Sequence, residues 1–137
     1  MTVDAGGERL GLTVGSLVSL SLHPPLVSVG VSRQAAMHEL LRNAGGFAVS
    51  LLAGDQEAIA QHFARGVPPF AHWHGIATRP GAAGAPFIED ALGWLECETR
   101  AEHDAGDHTL FVGEVLAAER GRSSSPLVYV GQRYISL

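Results

Sequence analysis

Four groups of residues in this chain have the types and spacing to do chemistry. In Gly106-Asp107-His108-Thr109 an imidazole follows a turn and opens an apolar run. Such a ring can change charge near neutral pH and can donate or accept a hydrogen bond. Ser32-Arg33 precedes a helix-like pattern, where a guanidinium near free amides can meet an anion or simply lie exposed on a surface loop. His72-Trp73-His74 puts two imidazoles on one strand face, as metal ligands are often placed. Zinc, however, takes three or four ligands, and neither Cys97 nor the other histidines stand at partner spacing. No metal is therefore expected, and Trp73 reads as a residue that caps a pocket or packs at an interface. Cys97 is the only cysteine and lies in an alternating stretch, so it reads as a small buried hydrophobe rather than a reactive thiol.

These groups must be held by strands. From Thr109 the residues alternate, with Phe111, Gly113 and Val115 facing one way and His108, Leu110, Val112 and Glu114 the other. Trp94 to His103 alternates too, with Leu95, Cys97, Thr99 and Ala101 opposite Trp94, Glu96, Glu98 and Arg100. Asp104-Ala105-Gly106-Asp107 is the turn between them, and a central β-hairpin from about Leu92 to Ala118 is the simplest product.

Upstream, Leu10 to Val14 and Val18 to Leu22 read as strands. His23-Pro24-Pro25 interrupts the second, because proline lacks a ladder donor. Leu26 to Val31 and Phe47 to Leu52 are further strands. Met37, Leu40, Leu41 and Ala44 have helical spacing, and Gly45-Gly46 ends that helix. Asp55 reads as the N-cap of a second helix carrying Ile59, Ala60 and Phe63. Phe70 to Ala85 reads as loop, Pro86 to Ile88 as a brief strand, and Leu127 to Leu137 as a closing hairpin turned at Gly131-Gln132. Met1 to Glu8 is weakly patterned. The sum is one mainly β domain over residues 1–137, a small closed or half-open β-barrel with two short helices.

Bulk properties narrow the partners. A formal charge of −5 with scattered basic residues excludes nucleic acid as the main partner. No apolar run is long enough to span a membrane as a helix, and the N-terminus lacks a signal pattern, so a cytoplasmic location is expected. The hydrophobic fraction of 46% is high enough to leave apolar surface for a subunit interface. No Gly-x-Gly-x-x-Gly follows a strand, so no dinucleotide-binding domain of that kind is present.

The decamer from Gly106 to Val115 resembles the Gly-Asp-His-x-x-x-x-Gly-x-Val signature of the flavin reductase-like family, whose fold is the FMN-binding split barrel. The resemblance extends, in order and spacing, to Gly11-Leu12-Thr13-Val14, to Val18 through Val27 and to Phe47 through Leu52. It implies non-covalent binding of FMN or FAD and reduction of the flavin by NAD(P)H, with hydride delivered to flavin N5. It also implies a homodimer, and a monooxygenase as a plausible consumer of the reduced flavin. A flavin-binding or electron-carrying protein without nicotinamide turnover is the alternative, and a barrel that has lost flavin is a third reading.

Carried over by position, the resemblance lays the flavin ring along the backbone of Thr13, Val14, Gly15 and Ser16. It puts the flavin phosphate at Ser32 and Arg33, and gives Ser50 a hydroxyl or ring-edge contact. His108 stands near flavin and nicotinamide, where it would position a ring and supply a proton. The same ring could instead bond only locally, to Asp104 or Asp107. The chain departs from the family in two places. Ala36 and Met37 stand where a hydroxyl pair is usual, and only ten residues precede Gly11, where the family commonly has another strand.

Overall fold

The computed structural model describes residues 1–137. Its strands are β1 (Thr2–Ala5), β2 (Glu8–Gly11), β3 (Val18–Leu22), β4 (Pro25–Ser32), β5 (Gly46–Leu51), β6 (Thr78–Pro80), β7 (Pro86–Ile88), β8 (Gly93–Ala105), β9 (His108–Arg120), β10 (Leu127–Val130) and β11 (Arg133–Ser136). The helices are α1 (Ala36–Ala44) and α2 (Glu57–Ala64), with one 3-10 turn at Pro69–Ala71. Seven strands form one antiparallel sheet in the order β2-β1-β5-β8-β9-β4-β3, and the pairs β10-β11 and β6-β7 stand beside it.

The two edge strands, β2 and β3, do not pair, so the expected barrel is open along a seam. The sheet nevertheless wraps. Val3 of β1 and Val27, Val29 and Val31 of β4 lie near opposite edges, yet share one core with Met37, Leu40 and Leu41 of α1. Phe111 at the centre is fully buried, worth about 1.5–3 kcal/mol of transfer free energy. Gly113 makes the wrapping possible. A Cβ there would meet the Phe47 ring at 2.7 Å and Cys97 Cβ at 3.0 Å.

The central hairpin has the expected alternation. Thr109, Phe111 and Gly113 are buried, and the strands meet at a two-residue turn, Gly106-Asp107, across the pair Ala105 and His108. Irregular register at Glu96/Cys97 and at Thr99/Ala101 bends the hairpin so that one arm serves both core and tip. Cys97 is buried as expected, and burial pushes its thiol up to about 12.

Several elements differ from the sequence reading. The weakly patterned N-terminus forms β1 and β2, while Leu12 to Leu17 leaves the sheet. Phe70 to Ala85 is not all loop, because β6 pairs with β7 there. Arg79 of β6 stacks 4.5 Å from the Trp94 ring and 4.9 Å from the Phe87 ring, which anchors that pair. Asp55 does not cap α2. Gln56 occupies the cap position, and the Asp55 carboxylate instead takes the Arg122 guanidinium, with one contact of 3.0 Å.

Candidate functional site

Leu12 to Leu17 is the segment around which the candidate residues gather. It is pinned to α2 by Thr13, whose hydroxyl donates to the Ala60 carbonyl at 2.6 Å and whose amide donates to the Phe63 carbonyl at 3.3 Å. Behind it lies a cavity of about 410 Å³. Thr13, Val14 and Gly15 form one wall, Ser50 of β5 and Phe63 of α2 another, and Tyr129 and Tyr134 of the last hairpin a third. The lining is mostly apolar, which suits a flat organic ligand better than a free anion. Nothing of the protein would touch a Cβ on Gly15, so the backbone is bare there. The Ser50 hydroxyl accepts the Ile88 amide at 3.0 Å and keeps its own proton to donate.

At Ser16 the segment turns to a second place, the outer face of the sheet. Val27, Val29 and Val31 of β4 point into the core, so Ser28, Gly30 and Ser32 alternate onto the opposite face. Beside them on β9 stand Leu110, paired with Gly30, and His108, paired with Ser32. Ser16 closes this shelf from the other side. Its Oγ lies 3.0 Å from both the amide and the carbonyl oxygen of Gly30, accepting from one and donating to the other.

His108 is half exposed at the shelf's end, and its Nδ1 lies 2.7 Å from Asp107 Oδ1. In the neutral ring that bond leaves Nε2 as a free acceptor. The bond from His108 also holds the Asp107 carboxyl below the ordinary carboxylate range. Arg33 is tied to the same hairpin tip. Its amide donates to the Asp107 carbonyl at 3.0 Å, and its Nη2 donates to Asp104 Oδ1 at 2.6 Å. The Ser32 hydroxyl accepts the Gln34 amide at 3.3 Å. Helix α1 then begins after Ala35 with no side chain capping it. Its leading amides therefore have no side-chain acceptor, and the Arg33 cation stands just before them.

The predicted residues thus fall into two groups that meet at Gly15-Ser16. Thr13, Val14, Gly15 and Ser50 line the cavity, Ser16, Ser32 and His108 border the shelf, and Arg33 is tied to the hairpin tip that carries His108. Sequence reasoning passed over Gly30. A glycine inside Val29-Gly30-Val31 is the signal that would have found it, because it marks a close backbone approach.

His72 does something different. Its Nε2 accepts the Gly11 amide at 2.8 Å, and Trp73 Nε1 donates to the Arg9 carbonyl at 3.1 Å. His62 Nε2 lies 2.7 Å from the His72 carbonyl. His72 and Trp73 thus satisfy backbone groups on the free edge of β2, His62 braces the His72 carbonyl, and no cluster of three or more metal-ligating side chains exists in the chain.

Comparison with known proteins identifies the family. The sequence model of the flavin reductase like domain matches residues 1–137. The reductase component of 4-hydroxyphenylacetate 3-monooxygenase from Thermus thermophilus is 41% identical over 129 residues, covering 94% of this chain and 80% of that protein. An NADH:FAD oxidoreductase from Streptomyces globisporus, solved in complex with NAD and FAD fragments, superposes with a TM-score of 0.92 at 37% identity, covering 99% of this chain and 81% of that one. BorF, the flavin reductase component of a bacterial two-component tryptophan halogenase, superposes at 0.90 with 40% identity, covering 99% and 86%.

Proposed function

This chain belongs to the flavin reductase-like family, and we propose that it is an NAD(P)H-dependent reductase of FMN or FAD. The observation that carries this reading is the pairing of an apolar cavity with a bare shelf that ends in an imidazole, both built around Thr13 to Ser16. When bound, the flavin supplies the hydride acceptor and the nicotinamide the donor. Hydride transfer of this kind demands closeness and alignment rather than a strong acid or base. The residues of this chain therefore act mainly by holding rings in place.

Thr13 fixes the segment to α2, so that Val14 and Gly15 present rigid backbone to a ring. Asp107 orients His108 through Nδ1, and the outward Nε2 positions a ring or moves a proton at its edge. Arg33 and the uncapped start of α1 hold the flavin phosphate, with Ser32 beside them. Ala36 and Met37 contribute backbone amides only, so Arg33 carries more of the phosphate binding than it would beside a hydroxyl pair.

The protein works as a homodimer in the cytoplasm and passes reduced flavin to an oxygenase. Val18, Leu20 and Leu22 expose apolar surface along the edge strand β3, whose outer side has no strand partner, and Leu116 does so on β9. A second copy covering that edge would remove the hazard an open strand presents. The test is loss of NADH or NADPH absorbance on adding FMN or FAD to the purified chain. Flavin binding without nicotinamide oxidation would favour the electron-carrying alternative, and no flavin binding would defeat both. Sedimentation equilibrium decides the dimer.

A further inference from the structure

Gly30 occupies a position where the chain's own packing does not call for glycine. It sits between Val29 and Val31 in the middle of β4, and its φ is not in the left-handed region. A strand interior normally favours a β-branched residue there, and glycine weakens it. A Cβ built on Gly30 would lie 3.7 Å from Ser16 Oγ, 3.8 Å from Ser16 Cβ and 3.9 Å from His108 Cδ2. All three are ordinary contact distances, so alanine would fit the ligand-free protein without displacing anything. Gly113 is the opposite case, because there a Cβ would strike Phe47.

The gap that the missing side chain leaves has a definite character. Its walls are the Ser16 hydroxyl and the carbon edge of the His108 ring. Its floor is the Gly30 peptide, whose amide and carbonyl are both already bonded to Ser16. The paired β9 residue beside it is Leu110. A floor with no free donor or acceptor and no side chain offers a flat van der Waals surface. It suits the face of a planar conjugated ring better than a polar edge.

We propose that Gly30 is a specificity-determining residue, whose missing side chain gives the clearance for one planar redox ring, isoalloxazine or nicotinamide, to lie flat on β4 between Ser16 and His108. The inference rests on the flavin reductase reading and adds a size limit to it. Ser16 acts here as a positioning residue, since its hydroxyl keeps the floor's polar groups occupied.

The test compares Gly30→Ala and Gly30→Val with the unchanged chain. Thermal midpoints are measured, together with kcat and KM for NADH at saturating flavin and for FMN at saturating NADH. The expected result is a midpoint equal to or above that of the unchanged chain. KM should rise roughly tenfold for one ring in the alanine variant and further in the valine variant, as overpacking of a fitted site does. A shift confined to FMN identifies the isoalloxazine as the occupant, and a shift confined to NADH identifies the nicotinamide. Kinetics within about twofold for both substrates in a folded alanine variant would overturn the inference and leave the reductase reading standing. A markedly lowered midpoint in the alanine variant would overturn it too, because glycine would then be needed for packing. An unchanged chain that neither binds flavin nor oxidises NADH removes both readings together.

Discussion

Two imidazoles, His108 at the start of β9 and His72 in the loop packed against the edge strand β2, have surroundings that make them unlike in function. His108 is half exposed, bonded through Nδ1 to its chain neighbour Asp107, and keeps Nε2 outward. His72 is almost wholly buried, and its Nε2 is spent on the Gly11 amide. Phe63 and Trp73 stand edge-on or tilted around it, with ring centroids 5.2 and 5.3 Å away. A ring whose lone pair is consumed by the backbone holds structure together. A ring oriented by a carboxylate with its second nitrogen open can meet a ligand. The difference lies in the state of one nitrogen, which residue type and spacing do not reveal.

The sharpest way to break the comparison is to remove each ring in turn. His108→Ala should lower kcat/KM about 100-fold, or about 2.7 kcal/mol, as loss of alignment at a hydride-transfer site does. Its thermal midpoint should stay near that of the unchanged chain, because the ring is solvated and bonded only locally. His72→Ala should do the reverse. It strands the Gly11 amide and empties an aromatic cluster, costing about 2 kcal/mol of stability in denaturant titration. Its kcat/KM should be affected less than that of His108→Ala. A His108 variant that unfolds early, or a stable His72 variant, would collapse the distinction.

What was legible in the sequence follows the same line. The central hairpin and α1 were visible because their period lies in neighbouring residues, such as Phe111, Gly113 and Val115, or Met37, Leu40, Leu41 and Ala44. β1 and β2 were not. Four-residue strands carrying Asp4, Glu8 and Arg9 have no clear period, and Val3 is buried only because α1 and β5 are brought against it. Asp55 carried a local capping signal that lost to Arg122, 67 residues away. The site was legible as a set of residues and not as two places. Ser16 turns out of the cavity because Gly30, fourteen residues on, offers it two backbone bonds. Nor did the sequence show that His72 and Trp73 would bond the free side of β2, because those contacts span about sixty residues.

Arg33 tests whether the shelf side of the comparison binds through charge. Its guanidinium is about half exposed and already shares Asp104. Arg33→Ala should weaken flavin binding by about 1.5 kcal/mol, the low end for a charge-assisted bond. The midpoint should hold, since exposed ion pairs add little. Equal affinity in a fluorescence titration would take the phosphate away from Arg33.

The smallest effect expected is a dependence on pH that belongs to His72. The neutral ring is the form that accepts the Gly11 amide. Burial, and then the neighbouring charge of His62, hold its pKa below the usual 6.5. As pH falls, the unfolded chain therefore takes up a proton at this position before the folded one does, and acid favours unfolding. The stability this group contributes is complete above about pH 6.5 and is lost as pH drops from there toward the folded-state pKa. His72→Gln keeps an acceptor for the Gly11 amide but does not titrate. Its thermal midpoint should fall less steeply than that of the unchanged chain between about pH 7 and 5. Parallel midpoint curves would show that His72 takes up its proton equally in the folded and unfolded chain over that range, and the clasp on β2 would then add no acid sensitivity.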